Sequence, residues 1–319
     1  MSSQEQPEPE RLPIMNFVQS STIAVLLFLI VSNSHSAEAE NLGPFVLPNT
    51  SQHVLHSTSI DEDFLISVSM PPSYSASNED FPIVYLVDAN SLFATAASNI
   101  RLLQGAGSLP QFILVGIGYD LRDKNPLDYL TLRYRDMTHV SDPEIERRLA
   151  ANPPPFNLPE GAETGEIESF ISFFENEVVG FIAENYRANT EHQTIVGHSL
   201  GGNFALYALL QHPALFNNYV IGSPGLFWGE FSLLELEQSR AEENRILDKR
   251  VFVSVGDQED AFDFDNSIKQ IVSTRELYNR LNSNHYENIE AGFKLFEGHN
   301  HISVIPETIT RGLMTVFSD

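Results

Sequence analysis

The chain has 319 residues, of which 42% are hydrophobic and 19% are charged, as is usual for a globular protein. It carries 43 acidic and 18 basic residues, and its formal net charge of −25 repels phosphate backbones and anionic lipid surfaces, which disfavours nucleic-acid binding. It has no cysteine, which excludes disulfides, cysteine nucleophiles, thiolate metal sites and a lipidated cysteine anchor.

Residues 1–39 have the layout of a secretory signal peptide. The apolar run 23–31 is too short to span a bilayer, and small-x-small patterns follow it at 34–36 and 37–39, where cleavage is expected. This predicts a periplasmic or secreted protein with no stable membrane anchor after cleavage. Because Arg11 is the only basic residue before the run, a buried or membrane-anchoring helix stays the alternative, and the protein is then cytoplasmic.

Residues 40–319 are expected to form one α/β domain. Short apolar runs predict strands at 64–70, 83–87, 112–117, 194–196, 219–221 and 251–255, with helices at 167–186, 202–211, 267–282 and 303–317. Their alternation predicts a mostly parallel, doubly wound sheet with helices on both faces, and ligands then bind beyond the carboxyl ends of the strands. Residues 120–166 contain many prolines and no strand pattern, which indicates a lid-like insertion or substrate loop over the site.

The nucleophile motif is the most informative stretch of the sequence. Residues 197–201 read Gly-His-Ser-Leu-Gly, placed directly after a predicted buried strand and directly before a predicted helix. This Gly-x-Ser-x-Gly pattern in that context predicts a nucleophile elbow, with Ser199 exposed at the sheet edge and the Leu200 amide as an oxyanion donor. The alternative is a glycine-rich turn with an idle serine.

A serine needs a base, and in this topology the histidine comes last in the chain. After Ser199 the histidines are His212 at a helix end, His285 in a polar loop, and His299 and His301 after the strand-like residues 293–296. The last two lie where the base is expected, and either can serve. A metal pair formed by these two is the rival interpretation, although no third ligand is evident.

The acid is expected after the strand that ends near Val255. Among the carboxylates that follow, Glu259 clears the strand end and can turn back towards the histidine, while Asp257 and Asp260 are the alternatives. The second oxyanion donor is expected in the loop after the third strand, where the amide of Asn90 or Ser91 is the candidate.

Seven motifs in chain order resemble one esterase group of the α/β-hydrolases, which contains siderophore esterases, esterase D-type S-formylglutathione hydrolases, feruloyl esterases and mycolyltransferases. They read FPIVYLVD at 81–88, VGIGY at 115–119, RYRDMT at 133–138, GHSLGGNFAL at 197–206, SPGLFW at 223–228, VGDQE at 255–259 and EGHNHISVIP at 297–306. The resemblance implies an α/β-hydrolase fold with Ser199 as nucleophile, His301 as base and Glu259 as acid. Ala89 replaces the family's usual glycine after the third strand, and Gly225 and Phe227 depart from its Ser-Pro-Ser-Leu-Trp-Trp stretch.

These residues predict a serine esterase that needs no metal or organic cofactor and acts on a small-molecule ester. A neutral short-chain ester is the leading expectation, and a siderophore ester is the alternative suggested by the resemblance. An anionic siderophore complex would need a basic patch, for which Arg133, Arg135, Arg147 and Arg148 are candidates unless they pair with the abundant carboxylates. The same scaffold could also serve an acyltransferase or a non-catalytic binding protein, because a fold does not by itself imply an activity. The oligomeric state is left open.

Overall fold

The centre of the fold is a pair of parallel strands buried on both faces. β3 (Phe81–Leu86) and β4 (Ile113–Tyr119) consist mainly of β-branched and aromatic residues, and all but one of their residues are buried. Ile83 is paired with Ile113, and Leu86 with Gly116. A strand buried in this way has to be covered by helices on both sides, which fixes the layered architecture.

The computed structural model describes residues 40–41, 43–152, 158–159, 161–243, 246–262, 269–283 and 286–318. The predicted signal peptide at 1–39 and His285 therefore lie outside the described residues. The chain divides into two compact units, residues 1–45 and 46–319. In the first unit, the amide of Gly43 donates a hydrogen bond of 2.9 Å to the side chain of Asn41. The fold below belongs to the second unit.

Eight strands form one sheet in the order β1-β2-β4-β3-β5-β6-β7-β8. The strands other than β3 and β4 are β1 (Thr50–Ser57), β2 (Glu62–Ser69), β5 (Ala188–His198), β6 (Asn218–Gly222), β7 (Ile246–Gly256) and β8 (Glu287–Phe296). β2 pairs antiparallel with β1 and with β4, and all the other pairs are parallel. The carboxyl ends of β3, β5, β6, β7 and β8 consequently meet at one edge.

Helices cover both faces of this sheet. They are α1 (Ala89–Gly105), α2 (Tyr129–Met137), α3 (Pro143–Ala150), α4 (Ile167–Phe173), α5 (Val179–Asn185), α6 (Leu200–Gln211), α7 (Ser232–Glu243), α8 (Gln270–Leu281) and α9 (Ile305–Val316). A π-helical turn, Phe174–Val178, joins α4 to α5. None of the helices in the described part of the chain has the length and apolarity needed to cross a bilayer.

Adjacent residues of the central strands enter two separate cores. Tyr85 and Ile195 pack with Phe204 of α6 on one face, whereas Val84 and Val196 pack with α1 and α9 on the other. This alternation is the period-2 pattern of a strand, and it places apolar side chains against helices on both sides of the sheet. The predicted doubly wound α/β fold with helices on both faces is confirmed.

Some elements differ from the sequence prediction. The sequence predicts a loop from Ala89, but the chain enters α1 there at once, so the candidate oxyanion residues Asn90 and Ser91 lie in the first helical turn. The sequence patterns also do not predict β1, α2, α3 and α7. The residues that form α1 bury Phe93, Ala96, Ala97 and Ile100, which is the spacing of one helical face.

The predicted lid-like insertion at 120–166 holds α2 and α3 within its described residues. It is tied to the loop after β6 by two hydrogen bonds. Trp228 Nε1 donates to the carbonyl oxygen of Val140 at 2.7 Å, and the Gly229 amide donates to Asp142 Oδ2 at 2.9 Å. These bonds place the insertion beside the carboxyl edge of the sheet, while its role as a lid stays a prediction.

Candidate active site

Ser199 lies at the turn between β5 and α6 in a strained backbone conformation. Its φ of 59° and ψ of −121° are unfavourable for a residue with a side chain. The surrounding bonds hold it there: the Ser199 amide donates to the carbonyl oxygen of Gly222 at 2.9 Å, and its own carbonyl accepts from the Asn203 amide at 3.1 Å. This is the local geometry expected of a nucleophile elbow.

Three glycines leave room for the turn. A Cβ on Gly197 would overlap the carbonyl oxygen of Gly201, and one on Gly202 would lie 2.9 Å from the carbonyl oxygen of Gly222. A Cβ on Gly201 would lie 2.8 Å from Val87 Cγ2. Strand β5 and helix α6 therefore lie closer to each other than a side chain at these positions would allow. Helix α6 is similarly close to the ends of the neighbouring strands.

Glu259 lies in direct contact with His301. Its Oε2 accepts a hydrogen bond of 2.7 Å from His301 Nδ1, and its Oε1 accepts 2.6 Å bonds from the Gly256 amide and the Ser223 hydroxyl. The carboxylate side chain is 0% exposed, whereas 31% of the His301 side chain is exposed. The contact with Glu259 occupies Nδ1 and leaves Nε2 as the atom available for proton transfer.

The two alternative acids are used elsewhere in the structure. Asp257 Oδ1 accepts the Gly298 amide at 2.8 Å, and Asp260 Oδ1 accepts the Ile271 amide at 3.0 Å near the start of α8. Both aspartates hold the loops around Glu259. The hydrogen bonds therefore favour Glu259 over the two aspartates as the triad acid.

The alternative base, His299, also has a different partner. Its Nδ1 bonds the carbonyl oxygen of Ser303 at 2.9 Å, and its own carbonyl accepts the Gln258 amide at 3.0 Å. His299 therefore braces the turn that carries His301. Within the described residues, no group of three or more potential metal-binding side chains comes together.

His198 is a site residue that the sequence reasoning did not single out. Its ring centroid lies 4.6 Å from that of His301, and it is the residue directly before Ser199. Burial, followed by the nearby charges of His301 and Arg133, holds the pKa of His198 well below its usual range. His198 therefore packs against the base as a neutral ring. The only available signal was its position inside the Gly-x-Ser-x-Gly motif.

The two predicted oxyanion donors lie at adjacent helix starts. Leu200 opens α6, and Asn90 is in the first turn of α1. A Cβ on Gly201 would lie 3.1 Å from Asp88 Oδ2, which shows how closely the two helix starts approach. The Asn90 side chain bonds both the amide and the carbonyl of Tyr119, at 2.7 and 2.9 Å, so only its backbone amide remains for an oxyanion. Ser91 is not suited, since its amide already donates to the Asp88 carbonyl at 3.1 Å.

The four arginines considered as a basic patch each pair with a carboxylate. Arg133 binds Asp88 at 2.7 Å, Arg135 binds Asp136 at 2.7 Å, and Arg147 and Arg148 bind Glu144 at 2.6 and 2.9 Å. The salt-bridge interpretation of these residues therefore holds: Arg133 and Arg135 each have a carboxylate partner, while Arg147 and Arg148 share Glu144.

The steric requirement for glycine at position 197 can be tested by comparing it with Gly180, which has space around it. We expect Gly197→Ala to destabilise the protein by at least about 3 kcal/mol, because the new Cβ overlaps a carbonyl oxygen inside the turn. Gly180→Ala, at an exposed position of helix α5 where the new Cβ meets nothing within 4 Å outside its own helix, should stabilise it by about 0.5–1 kcal/mol. Urea unfolding curves measure both changes. Equal stability of the two variants would contradict the close approach.

The comparisons with known proteins agree with this fold. The model of the Esterase family, described as "Putative esterase", matches residues 57–304. The ferri-bacillibactin esterase BesA of Bacillus subtilis is 30% identical over 84% of this chain and 90% of its own length. The siderophore triacetylfusarinine C esterase of Aspergillus fumigatus is 28% identical over 86% of this chain and 96% of its own length.

Two solved structures share the architecture. The BES protein from Bacillus cereus superposes with a TM-score of 0.72 at 25% identity, covering 88% of this chain and 100% of that one. The siderophore hydrolase EstA from Aspergillus nidulans gives a TM-score of 0.72 at 23% identity over 87% of this chain and 98% of that one, a likeness of fold. With a family match over most of its length and relatives of nearly full coverage, the chain belongs to this esterase family and is an ester hydrolase.

Proposed function

We propose that the protein hydrolyses esters through an acyl-enzyme on Ser199, with His301 as the general base and Glu259 as the acid that orients it. The observation that carries this proposal is the 2.7 Å bond between His301 Nδ1 and the buried carboxylate of Glu259. His301 Nε2 takes the proton of Ser199 Oγ as the oxygen attacks the ester carbonyl carbon. The proton then passes to the leaving alcohol, and water, activated by the same imidazole, releases the acid.

The oxyanion of the tetrahedral intermediate is assigned to the Leu200 and Asn90 amides. Both belong to first helical turns, where the amides lack intrahelical acceptors and the helix dipole favours negative charge. His301, Ser223 and Gly256 bind the two oxygens of Glu259 and fix the orientation of its carboxylate. The negative charge of Glu259 stabilises the imidazolium that forms during attack.

Removal of the triad members tests the mechanism. We expect Ser199→Ala to lower kcat for p-nitrophenyl acetate by at least about 1,000-fold, and Glu259→Gln by about 100-fold or more, because the amide orients the wrong tautomer of His301. The double variant should be no slower than Ser199→Ala, since the residues act as a unit. Asp257→Asn and Asp260→Asn are the matched controls and should keep most of the activity. Full activity in Ser199→Ala would assign the nucleophile elsewhere.

The substrate class is proposed to be an iron–siderophore ester of low net charge. Relatives that align over nearly their whole length are named as siderophore esterases, which supports this class over a short-chain ester. The electrostatics of the protein narrow the proposed substrate class further. The chain has a net charge of −25, and the candidate arginines near the site are all paired with carboxylates. An anionic catecholate complex would therefore be repelled, while a neutral hydroxamate complex would not.

Salt dependence separates these substrates. The enzyme is assayed on a ferric hydroxamate triester and a ferric tris-catecholate trilactone, with p-nitrophenyl acetate as reference, from about 10 mM to 1 M salt, where the Debye length falls from about 30 to about 3 Å. We expect kcat/KM for the catecholate to rise about tenfold or more with salt, because screening removes the repulsion, and kcat/KM for the hydroxamate to change less than about twofold. A catecholate preferred at low salt would overturn the charge argument. Hydrolysis of the nitrophenyl ester alone would favour a short-chain ester.

We also propose that the protein is exported, on the strength of the apolar run at 23–31 and the small-x-small patterns that follow it. Expression of the full chain in a bacterial host with a periplasm, followed by fractionation and N-terminal sequencing, tests this. The expected mature chain begins between residues 37 and 40 and is found outside the cytoplasm. A cytoplasmic chain that keeps residues 23–31 would contradict export.

A further inference from the structure

We propose that Ser223 is a positioning residue that orients the Glu259 carboxylate for catalysis. Ser223 lies directly after β6, one strand away from the β7 end that carries Glu259. The inference rests on the proposed triad, since it assigns a role to a group that acts through Glu259. Ser223 does not touch the reacting atoms itself.

The backbone of Ser223 is held in a conformation that suits glycine better than serine. Its φ is 40°, in the left-handed region, and its amide donates a 2.7 Å bond to the carbonyl oxygen of Ser254 on β7. A non-glycine residue in such a conformation is strained, and the surrounding structure has to hold it there. The side chain is fully buried. A residue with a hydroxyl thus stands where glycine would be less strained.

The hydroxyl is committed to Glu259. Ser223 Oγ donates to Oε1 at 2.6 Å, the short distance typical of a hydroxyl bound to a charged carboxylate. The Gly256 amide donates to the same oxygen, also at 2.6 Å. With two donors on Oε1, the carboxylate cannot rotate without breaking both bonds, and Oε2 stays directed at His301.

The same segment also touches the nucleophile elbow. The Gly225 amide donates to the carbonyl oxygen of Ser199 at 3.3 Å, and a Cβ on Gly202 would lie 3.1 Å from Pro224 Cα. Residues 223–225 therefore connect Ser199 to Glu259 through one short piece of backbone.

Two substitutions separate positioning from backbone strain. Ser223→Ala removes the hydroxyl and keeps the strain, while Ser223→Gly removes both, so the glycine variant should be the more stable of the two. We expect kcat for p-nitrophenyl acetate to fall about tenfold in both variants, with KM changed less than about twofold, because a bond that fixes the acid is lost in each. Ser254→Ala removes an equally buried hydroxyl that bonds Thr308 instead, and should keep kcat near that of the wild type.

The pH profile is the readout that a purely structural role would not move. Without the Ser223 donor, the negative charge on Glu259 is less compensated and binds the imidazolium proton of His301 more tightly. The acid limb of kcat/KM should therefore move to higher pH in both Ser223 variants and stay in place in Ser254→Ala. His198, the other titratable group against His301, is held neutral by burial, which lowers its pKa, and does not contribute to that limb.

The outcomes distinguish this inference from the triad itself. In a Glu259→Gln background, Ser223→Gly should lower kcat less than about twofold further, because its target is already impaired. Wild-type kcat and pH profile in the glycine variant would overturn the positioning role, and so would a full tenfold additional loss in the Glu259→Gln background. If Glu259→Gln itself keeps full activity, the proposed triad is wrong, and the role of Ser223 that rests on it is wrong as well.

Discussion

The site depends on the close approach of strand β5 to helix α6 at Ser199. Gly197, Gly201 and Gly202 lie where a Cβ would meet backbone or a neighbouring side chain, and Ser199 occupies the turn between them with a φ of 59°. Because the helix starts so close to the strand end, its first amides face the same space as the serine hydroxyl. The parallel sheet then supplies the other strand ends, β3 with the second helix start and β7 with the acid, at the same edge.

Local compensation, and not the overall charge, governs the chemistry in this site. The Glu259 carboxylate is fully buried in a chain of net charge −25, and three donors from three different strand ends or loops hold it. A buried carboxylate with such partners avoids the desolvation penalty that an isolated one would suffer. The long-range electrostatic field of the protein acts instead on charged substrates as they approach from solution. It therefore affects which substrate is bound and has little effect on the reaction itself.

The sequence predicted the fold and the nucleophile elbow for physical reasons that have clear limits, whereas the choice among the candidate bases and acids came from the family resemblance. Buried parallel strands are continuous apolar runs, so β3 and β5 were visible, whereas α1 was overlooked although its apolar residues recur at helical spacing. Spacing alone could not distinguish Glu259 from Asp257 and Asp260 as the acid. The partner of each carboxylate depends on loop contacts, such as those of the two aspartates with the amides of Gly298 and Ile271. The contacts of His198 with His301 and of Ser223 with Glu259 join residues far apart in sequence, so the motifs that contain His198 and Ser223 do not reveal them.

Three residues with a strained backbone at this edge of the sheet have side chains that take part in the interactions of the site. Asp88 after β3, Ser199 after β5 and Ser223 after β6 all have positive φ, between 40° and 59°. Each has a side chain that glycine would lack: Asp88 binds the half-buried Arg133, Ser199 is the candidate nucleophile, and Ser223 binds Glu259. Ala89, where the family usually has glycine, lies just inside α1 and so needs no such freedom. At these three strand ends, backbone strain coincides with a side chain that makes a specific contact or is a candidate for catalysis, which fits a site whose geometry is set before substrate arrives.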